Sequence, residues 1–131
     1  MTAIDDVRNE ISRLTASLET IIVKTGVLYS EIMRRLSRID KYRNKELYEL
    51  YERDLVAYRD FIVQASALKG LLEALDEALV ENADVGGLLA LLCKYRRTIP
   101  EFIWEIEWII DVIREVKRID WSCITVQMRG W

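Results

Sequence analysis

The chain has no histidine, a single proline, five glycines and two cysteines, and aromatic residues make up only 9% of it. Without histidine the commonest general base and metal ligand is missing, so Ser/His and Cys/His nucleophilic pairs are excluded. Diiron helical bundles are disfavoured for the same reason, because their Glu-x-x-His ligand pairs cannot be made. Two cysteines, Cys93 and Cys123, make neither a disulfide scaffold nor a four-ligand zinc site. No apolar run approaches the ~20 residues of a membrane-spanning helix. The start, Met1-Thr2-Ala3-Ile4-Asp5-Asp6, has neither the basic region nor the apolar core of a signal peptide. The expected location is therefore intracellular, with no membrane, cofactor or metal.

What the chain has is a high density of both apolar residues (51%) and charged residues (31%) over 131 positions. That composition leaves no room for polar linkers, so residues 1–131 read as a single helical domain long enough to bury a core. A net charge of −3 argues against a dedicated polyanion binder. Fifteen isoleucines, few Asn and Gln and dense Arg/Glu pairing are features of heat-adapted proteins. Because intracellular disulfides do form in hyperthermophiles, a Cys93–Cys123 bond stands as the alternative to two semi-buried thiols.

From Thr2 to Ala83 there is no proline and there are only two glycines. Thr2 and Asp5 fit a capping box. Ile4, Val7, Ile11, Leu14, Leu18, Ile21, Leu28 and Ile32 then follow a 3-4 spacing with Thr25 in the weak slot, and the phase slips through Leu36 and Ile39. A polar gap runs from Asp40 to Glu46. A second apolar face follows at Leu47, Tyr51, Leu55, Tyr58, Ile62, Ala65, Leu72, Leu75 and Leu79. One continuous helix would be ~120 Å long and would need another chain to cover it. A turn near Asp40 to Asn44 gives two ~55 Å helices that cover each other as a coiled-coil-like antiparallel hairpin. The likeness of Glu31–Asp40 to Asp111–Asp120, with Arg, Arg, Ile and Asp at matching positions, favours the turn, since the second copy ends a helix. The expected helices span about 2–40 and 45–82.

Asp84-Val85-Gly86-Gly87 is the clearest break, and a short, nearly all-apolar helix is expected over about 87–97. Thr98-Ile99-Pro100-Glu101 reads as a capping box with proline in the first turn, opening a helix over about 99–120. Phe102, Ile106, Ile109, Ile113 and Val116 form its core stripe. Trp104, Trp108, Val112 and Ile119 lie on another side, more than 90° away at 100° per residue, so this helix needs two partners. The tail, 122–131, alternates in a way that reads as a short strand or an extended arm, and the arm is favoured because a lone strand has nothing in its own chain to pair with.

Three functional readings follow. The first is a non-enzymatic bundle that self-associates, as a dimer or higher oligomer, and binds a protein partner through its apolar seams. The interface would be Trp104, Trp108, Val112 and Ile119, because Trp concentrates binding energy. The second uses Arg34, Arg38, Lys41 and Lys45, which fall within about 60° on a helical wheel and form a stripe that suits a phosphate backbone, anionic ligand or nucleic acid. The third uses Glu46, Glu49 and Glu52 with Glu73, Asp76 and Glu77. Their spacing is similar to the paired acids of all-alpha nucleoside triphosphate pyrophosphatases, a resemblance that implies Mg²⁺-dependent pyrophosphate chemistry. These acids share one helix with core residues and do not reproduce that family's paired glutamates, so a solvated, ion-paired face is the stronger reading.

Overall fold

The structure, a computed structural model, describes residues 2–128. The fold is an all-α bundle built on a long helical hairpin. Helix α1 (Ala3–Leu36) and helix α2 (Lys45–Val80) run antiparallel along nearly their whole length. A short helix α3 (Gly86–Tyr95) packs on α2, helix α4 (Ile103–Lys117) packs on α1 and α3, and helix α5 (Cys123–Met128) returns to α3.

The hairpin has local causes. Thr2 and Asp5 make the reciprocal capping box, each side chain accepting the other residue's backbone N–H at 3.1 and 3.2 Å. Helix α1 ends at Leu36, four residues before the expected end. The chain then turns without glycine or proline because the Asp40 carboxylate accepts the backbone N–H groups of Tyr42 (2.9 Å) and Arg43 (3.3 Å), so a side chain closes the turn. Two ion pairs between the helices fix the register: Arg8 with Asp76 at 2.9 Å and Glu19 with Lys69 at 3.3 Å. Both place the apex near residues 42–44. Helix α2 stops in a Schellman arrangement, with Asn82 left-handed (φ 53°), Ala83 N–H donating to Ala78 C=O and Asn82 N–H donating to Leu79 C=O. Arg118 (φ 56°) ends α4 in the same way.

The core lies at one end. Val7, Ile11, Leu14 and Leu18 of α1 meet Ala65, Leu68, Leu72 and Leu75 of α2, Leu89 and Leu92 of α3, and Ile106, Ile109, Ile110 and Ile113 of α4. Length explains this placement. At 1.5 Å per residue the hairpin helices span ~50 Å, whereas α3 and α4, with 10 and 15 residues, cover only ~15 and ~22 Å. A four-helix base therefore gives way, past Thr25 on α1 and Ile62 on α2, to a two-helix projection. There Leu28, Met33, Leu47 and Leu50 are each about half exposed. Thr25 sits at the boundary, buried, its hydroxyl donating to the Ile21 carbonyl at 2.8 Å.

Two local expectations are corrected. Thr98 forms no cap: the chain enters α4 through a 3₁₀ turn, Pro100–Phe102, with Ile99 at the cap position and no side-chain hydrogen bond there. Proline occupies the first turn as expected, and Ile99 before it is buried in the core. The tail begins as a helix, α5, and not as an extended arm. Cys123 is joined to Cys93 of α3 in a disulfide, and Thr125 N–H donates to Ser122 Oγ at 3.4 Å, so the segment is pinned and capped where it starts. The tail beyond Met128 lies outside the described residues. On the chain-entropy estimate, closing a loop of 30 residues contributes roughly 3–4 kcal/mol.

Candidate association face and the basic tip

Helix α4 is packed against both α1 and α3 and turns its Ile106, Ile109 and Ile113 side into the core. Of the four residues expected to form an interface, Val112 and Ile119 are half-buried and pack against the core, at the rim of the bundle. Trp104 and Trp108 do not: they are 79% and 43% exposed. The core is closed beneath them by Ile106, Ile109 and Ile113, so the tryptophans fill no gap inside this chain.

Around them lies an open, shallow groove lined by Glu10 and Arg13 of α1 and by Trp104, Glu105 and Trp108 of α4. Arg13 is held in a fork by Glu10, one turn away on α1, and its guanidinium also stands 3.7 Å from Glu105. The hydrogen bond with Glu10 and then its charge raise the Arg13 pKa, so the guanidinium is a fixed cation. Glu105 Oε2 is shut off from solvent and has no hydrogen-bond partner. An acceptor without a donor beside two indole rings is incomplete chemistry, since leaving a buried acceptor unpaired costs about 1–3 kcal/mol.

The basic residues sit at the other end of the molecule. The turn divides the expected stripe: Arg34 lies in the last turn of α1, Arg38 and Lys41 in the connection, and Lys45 opens α2. Arg34 is bound to Glu31 at 2.5 Å, and Lys41 Nζ stands 5.6 Å from the Tyr48 ring centre. A single track for a phosphate backbone required a straight helix through Asp40. The turn leaves instead a tip with six basic and three acidic residues between Glu31 and Glu46, and Tyr42 is almost fully exposed on it.

The acidic residues of α2 are also dispersed. Asp76 pairs with Arg8, Glu73 with Lys69, and Glu46, Glu49 and Glu52 lie exposed near the tip, roughly 30–45 Å away at 1.5 Å per residue. Among the described residues no three of His, Cys, Asp and Glu converge at metal-binding distance. Sequence reasoning missed a further cluster: Arg96, Arg97 and Arg114 converge on a groove beside the disulfide. Arg114 follows the core position Ile113 and lies one turn beyond Ile110, at the margin of the core stripe, the one signal by which it was detectable.

No protein-family model, curated protein or solved structure matches this chain.

Proposed function

We propose that this protein is a non-catalytic helical bundle that self-associates through the Trp104/Trp108 face of α4. The observation that carries the reading is the pair of tryptophans left on the surface over a core that is already closed. Burying a large aromatic side chain is worth several kcal/mol at an interface, and exposing two of them one turn apart has no role in the isolated chain. The surrounding charges support a second copy as occupant. Glu10, Arg13 and Glu105 carry both signs on one patch, so a two-fold contact can set each copy's cation against the other's carboxylates. The half-exposed leucines of the projecting hairpin add an apolar seam for a further helix, from a second copy or a protein partner.

Sedimentation equilibrium over a wide concentration range tests this. The wild type is expected above the 15.4 kDa of one chain. Trp104→Ala and Trp108→Ala should each weaken association by roughly 2 kcal/mol, about 30-fold in Kd. Their denaturation midpoints, measured below the dissociation concentration, should stay near the wild type. A wild type that remains a monomer at every concentration overturns the proposal.

A further inference from the structure

At the end of the base where α3 stops, a groove of about 270 Å³ opens between α3, α4 and the start of α5. Three guanidinium groups reach it: Arg96 and Arg97, just past the end of α3, and Arg114 from α4. Arg96 is almost wholly buried, with one nitrogen donating to the Cys93 carbonyl at 2.6 Å and Nε 3.5 Å from Glu107. It caps the carbonyl end of α3, and that role accounts for it.

Arg114 has no such account. Its Nε is shut off from solvent without an acceptor, and its nearest carboxylate, Asp111, stands 3.6 Å away, beyond hydrogen-bond reach. Arg97 is exposed and has no acidic partner among the described ion pairs. The two acids of the groove, Glu107 and Asp111, lie out at its rim with much of their carboxylates in water. Positive charge therefore predominates inside, and donors outnumber acceptors, since each guanidinium carries five N–H groups.

The third wall is the start of α5. Ser122 lies on the groove beside the disulfide, and its hydroxyl, 3.2 Å from Thr125 Oγ1, is free to donate inward when Thr125 donates to it. Ile110 and the disulfide sulfur make the remaining wall apolar.

We propose that this groove binds a phosphoryl oxyanion, held by Arg114, Arg97 and the Ser122 hydroxyl. A lone carboxylate is satisfied by one arginine fork, whereas donors arriving from three elements suit the several oxygens and double charge of a phosphate. The volume lies below the ~300–1,000 Å³ of sites for drug-sized ligands, so the site takes the phosphoryl group and a short stem. The disulfide is part of the site because it anchors the segment that carries Ser122 to α3. The inference is independent of self-association.

The test is thermal denaturation and calorimetry with inorganic phosphate, with phenyl phosphate, and with acetate or chloride at matched ionic strength. Saturable stabilisation by both phosphates is expected, and none by acetate or chloride. Phosphate alone, without phenyl phosphate, rules out the short stem; equal saturation by acetate rules out the phosphoryl assignment. Arg114→Gln should bind about tenfold more weakly or worse, yet be at least as stable as the wild type in phosphate-free buffer, because it removes a buried donor that has no acceptor. A loss of stability there overturns the proposal by making Arg114 structural. Arg97→Gln, at an exposed position, must also weaken binding, and unchanged affinity there overturns the three-donor site. Paired Cys93→Ser and Cys123→Ser substitutions should weaken binding by freeing Ser122. Arg38→Gln at the hairpin tip should leave it unchanged; if R38Q abolishes it, the phosphate was at the tip and the proposal fails.

Discussion

The two halves of the hairpin carry the same kind of apolar spacing and meet different fates. In the base, Leu14, Leu18, Leu68 and Leu72 are completely buried, because α3 and α4 lie across them. In the projection, Leu28, Leu47 and Leu50 keep roughly half their surface in water, since each helix has only the other to cover it. Two helices bury one face each along a single line of contact, and a third and fourth helix are needed to close the flanks. A coiled-coil pattern thus specifies that a residue wants cover. It does not specify who provides it.

The largest expected effect breaks this comparison most directly. Leu14→Ala and Leu72→Ala should each destabilise the dilute protein by about 2–5 kcal/mol, as buried leucines that leave a cavity. Leu28→Ala and Leu50→Ala, half exposed already, should cost about 1 kcal/mol or less. Urea denaturation at low concentration measures both pairs, and equal losses would mean that the projection is covered after all.

A smaller effect, of opposite sign, concerns glycine. A Cβ added to Gly26 or Gly70 meets nothing within 4 Å, yet each glycine stands inside a helix where alanine is better by roughly 0.5–1 kcal/mol. Gly26→Ala and Gly70→Ala should stabilise the dilute chain by about that much. If G26A also weakens association at high concentration, then the open face around Val23, Gly26 and Val27 is a second contact between copies.

The smallest effect separates the halves by pH. Hydrogen bonds first from Arg34 and then from Arg35 hold the Glu31 carboxyl below its ordinary value of 4.5. A carboxyl with a lowered folded-state pKa adds stability above its unfolded value and loses it as pH falls through the folded one. Amide exchange in the last turns of α1 should therefore speed up below about pH 4.5, and Glu31→Gln should remove that dependence. With much of its side-chain surface in water, the cluster should change global stability little.

Much of this molecule was legible in the order of its residues. The Thr2/Asp5 box, the hairpin, the break at Asp84 and the helix after Pro100 all follow from interactions within a few positions. The turn was harder to read because Asp40, and not a glycine or proline, makes it. The tail was misread because its alternation weighs less than a disulfide that anchors its first turn. For the site residues, the helical wheel separated Trp104 and Trp108 from the core stripe but set Val112 and Ile119 with them. A wheel has no knowledge of where the neighbouring helices end, and these two meet the core rim where the tryptophans meet water.

By itself the sequence determined that the chain is helical, where its first four helices begin and end to within a few residues, and which face of each is apolar. Those properties are set by backbone capping and by side-chain periodicity, which act over one or two turns. Only the tertiary structure decided which apolar faces are spent inside the chain and which remain, and which of its arginines meet. Both depend on the ~15 and ~22 Å reach of α3 and α4 against a ~50 Å hairpin, and on the Cys93–Cys123 bond that brings α5 back to α3. A residue's local pattern carries no record of a partner thirty or seventy positions away.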